Sequence, residues 1–222
     1  MSCKKVIFRV DSSIQIGSGH VMRCLTLANM LKEYGYKCNF VCRDLVGNSI
    51  DIIKKNHFDV KVLPKPDHSI KVEDKKKINI HEHWLEVPWT NDLKQTKKFL
   101  DDNKFDLIII DHYAIDIRWE KGIITEISKI MVIDDIPDRK HLCNILLDQN
   151  LGRKPKDYQN LVPIECKLLL GTDFALLRPE FKQLRKMSIE KRRSSKIENI
   201  LISLGGICLL YTSDAADEPM RV

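Results

Sequence analysis

The stretch FDLIIIDHY (105–113) constrains the fold more than any other part of the chain. Four aliphatic residues, Leu107 to Ile110, run without interruption into Asp111-His112-Tyr113. A strand with one wet face alternates apolar and polar residues. An unbroken apolar run is instead buried on both faces, which requires helices above and below a parallel sheet. Similar runs recur as KKVIFRV (4–10), KCNFVCR (37–43), FDVKVLP (58–64), KIMVIDDIPD (129–138), CNILLDQN (143–150) and CKLLLGTDF (166–174). Helical patterns separate them: GHVMRCLTLANMLKEYG (19–35), NSIDIIKKN (48–56), TNDLKQTKKFLDDN (90–103) and DIRWEKGIITEIS (116–128). In the first, Val21, Cys24, Leu25, Ala28 and Leu31 share one face and Gly35 is the stop. Thr90 is expected to cap the third, and residues 65–90 to form a long loop. The reading is α/β, a Rossmann-like parallel sheet filling a domain over residues 1–177. Ligands of such sheets sit beyond the carboxyl ends of the strands.

Beyond residue 177 the pattern changes. RPEFKQLRKMSIEKRRSSK (178–196) reads as a basic connecting helix and linker. IENILISLGG (197–206) opens a new strand and glycine turn, the start of a second α/β domain. CLLYTSDAADE (208–218) continues neither pattern and resembles a translated sequencing adapter. Residues 208–222 are therefore expected to be a non-native tail behind a truncated second domain.

With 222 residues the chain suits one large domain or two small ones. Its net charge of +6 suits an anionic small ligand and identifies no macromolecule. The seven cysteines are odd in number and lack a CxxC pair, which argues against a disulfide framework and a zinc site. Reduced thiols and a cytoplasmic location are expected. No apolar run approaches the ~20 residues of a membrane span, and the start lacks a signal-peptide pattern. We expect no metal, no cofactor, no nucleic-acid or membrane partner, and a monomer.

The glycine turn Gly17-Ser18-Gly19-His20 sits between the first strand and the first helix. Glycines allow a sharp bend and close approach of a ligand, and the helix start offers free N–H groups. A dinucleotide fingerprint is a poor fit: Met22 replaces the third glycine, and the second strand ends in Arg43-Asp44. The dipole at this helix start favours a neutral His20 imidazole, as a general base needs. Local sequence leaves His20 either as that base or as a helix cap. Asp111, His112 and Tyr113 either close a loop or meet a ligand. Asp134 and Asp135 are adjacent, so on a strand they point to opposite faces and share no metal. Asp11 and Asp134 read as braces for loops. His81-Glu82-His83 lacks the spacing that places two histidines on one helix face, and reads as loop.

Five blocks in order carry a resemblance: RVDSSIQIGSGHVMRCLTLA (9–28), LIIIDHYAID (107–116), LLDQN (146–150), LLLGTDFALLRPEF (168–181) and ILISLGG (200–206). Together they resemble the UDP-2,4-diacetamido-2,4,6-trideoxy-β-L-altropyranose hydrolases of pseudaminic acid biosynthesis. That family is related to MurG-like glycosyltransferases and has the GT-B architecture of two Rossmann-like domains. The resemblance implies inverting, metal-independent water attack at the anomeric carbon with release of UDP. It implies His20 as the catalytic base and Tyr113 as an active-site residue. It further implies that Gln15, Gly17, Gly19, Arg23, Asp111 and His112 meet the substrate. Phe174, Ala175 and Arg178 would line the cleft, with Gly205 and Gly206 in the UDP-binding domain. A glycosyltransferase of the same architecture, or a non-catalytic nucleotide-sugar binding domain, are the competing readings.

Overall fold

A computed structural model describes residues 3–67, 79–101 and 104–193. Gly205, Gly206 and the strand and tail expected after residue 196 lie outside the described residues. Seven strands form one sheet: β1 (Lys5–Val10), β2 (Lys37–Arg43), β3 (Asp59–Leu63), β4 (Leu107–Asp111), β5 (Ile130–Ile133), β6 (Ile145–Asp148) and β7 (Lys167–Leu170). Their order is β3-β2-β1-β4-β5-β6-β7, and every neighbouring pair is parallel. The chain thus builds outward in one direction from β1, then crosses back to start again at β4. This is a Rossmann-like α/β sheet, as the apolar runs predict.

Alternation within each run distributes side chains between two cores. Val6, Phe8 and Val10 of β1 point to one face, where they meet Val21, Cys24, Leu25 and Ala28 of α1 (Gly19–Glu33) and Ile50 and Ile53 of α2 (Ile50–Lys55). Phe8 stacks on its register partner Phe40 at 4.8 Å between ring centroids. Ile7, Ile108 and Ile110 point to the other face, beneath α3 (Trp89–Asp101) and α4 (Ile117–Ile123). Each such aliphatic side chain, fully buried, contributes about 1.5–3 kcal/mol. Gly122 of α4 allows that helix close to α3, since a Cβ there would lie 2.2 Å from Leu93 Cδ2.

Local signals set the helix ends. Gly35, at φ +81°, lets its N–H reach the carbonyl of Lys32 while Tyr36 N–H reaches that of Leu31, closing α1 with paired terminal bonds. Asp116 caps α4 by accepting from Arg118 N–H. Thr90 is not a cap: α3 already begins at Trp89. The helix expected over 116–128 stops at Ile123. Within the expected 65–90 loop, Glu82–Leu85 forms one turn of 3₁₀ helix. The basic segment forms α5 (Pro179–Arg192), with no buried residue. The six cysteines among the described residues are free thiols. No described helix is long and apolar enough to cross a membrane.

Candidate active site

The winding reverses between β1 and β4, the place at which sheets of this kind hold their ligands, beyond the strands' carboxyl ends. Val10 is in register with Asp111, so the glycine turn after β1 faces the DHY turn after β4. The glycine turn is firmly braced. Gly17 N–H donates to Ser13 O at 2.8 Å, Ile16 N–H to Ser13 Oγ at 3.0 Å, and Ile14 N–H to Val46 O at 3.0 Å. Gly17 adopts φ +78°, a conformation that side chains beyond glycine resist. A Cβ on Gly19 would meet nothing within 4 Å, so this glycine borders open space. Gln15 is exposed at the tip of the turn.

His20 follows as the second residue of α1. It does not cap the helix: Ser18 holds that position, and the imidazole turns to β4 instead. Its Nδ1 lies 2.6 Å from Asp111 Oδ1. With the proton on Nδ1, that nitrogen donates to the carboxylate and Nε2 is left as the acceptor. Arg23, one turn along the same helix face, grips both oxygens of Asp111, Nε to Oδ2 and Nη2 to Oδ1, each at 2.6 Å. Its Nη1 reaches Asp135 Oδ2 at 2.8 Å. The fork of Arg23, expected on substrate, is therefore occupied within the cluster. Burial alone would raise the Asp111 carboxyl. The charges of His20 and Arg23 and their hydrogen bonds outweigh it and hold the group well below the usual carboxylate range.

Tyr113 lies edge-on to His20, with ring centroids 4.7 Å apart at 84°. Its hydroxyl donates to Asp135 Oδ1. Burial, followed by the carboxylate of Asp135, pushes the phenol far up, so Tyr113 stays protonated. Asp135 was not singled out for this site by the sequence. Its only signal was its place after β5, next to the strand that carries Asp111. Asp134 and Asp135 do diverge: Asp134 turns inward to His141 and Arg139, Asp135 outward to Arg23 and Tyr113. Two further groups missed by sequence, His81 and Trp84, stand against Tyr113 with centroids 5.5 Å away in each case.

Other expected site residues lie elsewhere. His112 points to the opposite face of the sheet, 4% exposed, with Nε2 3.2 Å from Asp11 and Nδ1 accepting from Ala114 N–H. Alternation along the strand end sends it away from Asp111, so it is a buried brace rather than a lining residue. Burial, against the pull of Asp11, lowers its pKa and keeps it neutral. Asp11 is also a brace, accepting from Arg9 and from the Arg43 N–H of β2. Phe174 closes the 3₁₀ turn after β7 and is exposed. Arg178 lines a groove of about 770 Å³ between α1 and α5, beside Thr26, Met30 and Glu33. These residues belong to the later turns of α1, whereas His20 and Arg23 belong to its start.

No protein-family model matches the chain. It is 36% identical over 189 residues to the UDP-2,4-diacetamido-2,4,6-trideoxy-beta-L-altropyranose hydrolase of Campylobacter jejuni, covering 85% of this chain and 57% of that protein. It is 26% identical over 205 residues to an uncharacterized protein of Methanocaldococcus jannaschii, covering 91% of this chain and 37% of that one. The chain thus spans about half the length, or less, of these curated relatives. Among solved structures, MurG of Acinetobacter baumannii superposes with a TM-score of 0.49 at 10% identity, over 75% of this chain and 45% of that one. Over the 189 residues that align, the chain is similar to the UDP-2,4-diacetamido-2,4,6-trideoxy-beta-L-altropyranose hydrolase.

Proposed function

We propose that the chain carries the catalytic base of a UDP-sugar hydrolase acting in pseudaminic acid biosynthesis in the cytoplasm. The observation that carries this reading is the His20–Asp111 pair, 2.6 Å apart beyond the carboxyl ends of β1 and β4. His20 Nε2 takes a proton from a water molecule as its oxygen bonds to the anomeric carbon. The bond from that carbon to the UDP oxygen breaks, and the electron pair leaves with UDP. Attack opposite the leaving group inverts the anomeric centre, and the site has to hold one water between base and sugar. Asp111 keeps the imidazole in the productive tautomer and stabilises the imidazolium that forms. Arg23 fixes Asp111, so the carboxylate cannot swing away. Tyr113 closes one side of the imidazole.

In this proposal the described residues form the base-bearing half of a GT-B enzyme, with α5 as the link to a UDP-binding half. The chain as given is then expected to bind UDP weakly and to release no measurable UDP from the sugar nucleotide. A protein with the full length of the relatives is expected to release UDP and free sugar of inverted configuration, read by a UDP-coupled assay and by proton NMR of the anomeric signal. In the completed protein, His20→Ala lowers the rate by about 10²-fold or more. A loss below about tenfold removes His20 as the base. Sugar found on an acceptor instead of on water makes the protein a transferase.

A further inference from the structure

The wall beside His20 is aromatic, and one of its groups has an unmet hydrogen bond. Trp84 lies 5.5 Å from Tyr113 at an interplanar angle of 35°, and 6.4 Å from His20. His81 completes the patch, 5.4 Å from Trp84 and 5.5 Å from Tyr113. Trp84 packs partly on the core around Leu85 yet stays partly exposed. Its indole N–H has no hydrogen-bond partner among the described residues. Trp119 shows the contrast: it is fully buried and donates its N–H to Asp92 at 3.0 Å. A buried indole usually finds an acceptor within the protein, whereas the partly exposed Trp84 indole is free to give its N–H to solvent or to an arriving ligand.

The segment bearing Trp84 is tied to the site at several points. Asn79 Nδ2 donates to the Tyr113 carbonyl at 2.9 Å, and Asn79 Oδ1 accepts from His81 N–H at 2.9 Å. Glu82 pairs with Arg118 at 2.8 Å, and Leu85 is wholly buried. Glu86 follows at φ +53°, a left-handed conformation uncommon outside glycine and asparagine, which such sites retain at a cost. The platform is thus held against the base by fixed contacts.

Resting on the hydrolase reading, we infer that Trp84 is a specificity-determining residue: its ring, with Tyr113 and His81, receives the C–H face of the hexose, and its N–H donates to an acetamido carbonyl oxygen. A sugar lacking the hydroxyl at C6 offers a more apolar face to such a platform. An acetamido group offers the carbonyl that a bare hydroxylated hexose lacks.

The test uses this chain with ¹⁵N-labelled tryptophan indoles and ring-labelled histidines. It is titrated to millimolar concentration with the diacetamido UDP-sugar, with UDP-glucose and with UDP. The Trp84 indole signal is expected to shift with the diacetamido sugar nucleotide and to stay still with UDP. Trp84→Phe keeps a ring but removes the donor, and is expected to weaken binding of the diacetamido compound by about threefold to tenfold. Trp84→Ala is expected to weaken it by ten- to a hundred-fold, while an unmoved Trp119 signal verifies the fold. Should the sugar nucleotide shift His20 but leave Trp84 unmoved, this inference falls and the hydrolase reading stands. Should none of the ligands move either residue at millimolar concentration, this inference falls, and the hydrolase reading is decided separately by UDP release from a protein of the relatives' full length.

Discussion

Two networks of arginine and aspartate flank the same pair of central strands, and they differ in exposure and in the number of guanidinium groups. On the α3 side, Arg9 and Arg43 meet Asp11 and Asp92, and all four side chains are wholly buried. Two positive charges face two negative ones, and the Trp119 indole supplies a further donor. On the α1 side, Asp111 is equally buried, but Arg23 is 11% and Asp135 18% exposed. Here two carboxylates face one guanidinium, and the fourth member is the His20 imidazole. The sealed network is closed to a ligand, whereas the open one is partly exposed beside His20; under the proposed hydrolase reading the first serves as structure and the second as chemistry.

The largest expected effect breaks the sealed network. Asp92→Ala leaves two buried guanidinium groups short of a partner, which typically costs about 3–5 kcal/mol. Urea denaturation of the chain measures it, and a loss below about 1 kcal/mol means the charges there are not interdependent. Next is the open network. Asp111→Asn keeps the volume but removes the carboxylate behind His20. In the completed enzyme its kcat is expected to fall by about 10²-fold with KM little changed. A KM effect alone makes Asp111 a substrate ligand instead of a positioning residue.

Much of this contrast was legible in the sequence, and the illegible part has a physical cause. The unbroken run Leu107–Ile110 determined the parallel sheet, because no other arrangement buries both faces. Gly17 and Gly35 announced turns through the backbone conformations they permit. The site itself was legible only up to side-chain direction. Asp111 and His112 are neighbours in sequence, yet the strand's alternation sends one to His20 and the other to Asp11. Asp135 and Arg23 join only because β5 lies beside β4 and α1 crosses above. Trp84 sits in a stretch whose polar composition reads as loop, and its partners come from another strand end.

Titration sharpens the comparison at a smaller scale. Asp11, Asp92 and Asp111 are held below the ordinary carboxylate range by their arginine and histidine neighbours, against the opposing effect of burial. Their stabilisation is complete above pH ~4 and is lost as pH falls toward the folded values. His141 behaves oppositely. Burial would lower it, but Glu120 and Asp134 raise it to about 9. Its stabilisation is complete below its ordinary value of 6.5 and is lost as pH rises through about 9. Thermal unfolding followed from pH 3 to 10 is expected to show both flanks, with the buried neutral His112 adding a loss as pH falls below its ordinary value of 6.5. His141→Gln is expected to flatten the alkaline flank and to weaken the acid flank only by what its contact with Asp134 contributes; an unchanged alkaline flank contradicts the assignment.

Gly19→Ala carries the smallest expected effect on folding and separates the two networks most cleanly. The residue opens α1, and an added Cβ meets nothing within 4 Å, so no neighbour has to move. Alanine also restricts the unfolded chain more than glycine does. The variant is expected to be as stable as the parent or about 0.4–1 kcal/mol more so. In the proposed mechanism the turn that carries Gly19 leads directly into the base His20, so an added methyl group there is expected to narrow the approach to it. Turnover by the completed enzyme is therefore expected to fall while stability holds or rises. Gly17→Ala makes the matching control, because φ +78° strains any side chain and lowers stability first. If Gly19→Ala leaves turnover intact, the space beside His20 is wider than the reaction requires, and the approach to the base lies from the Trp84 side.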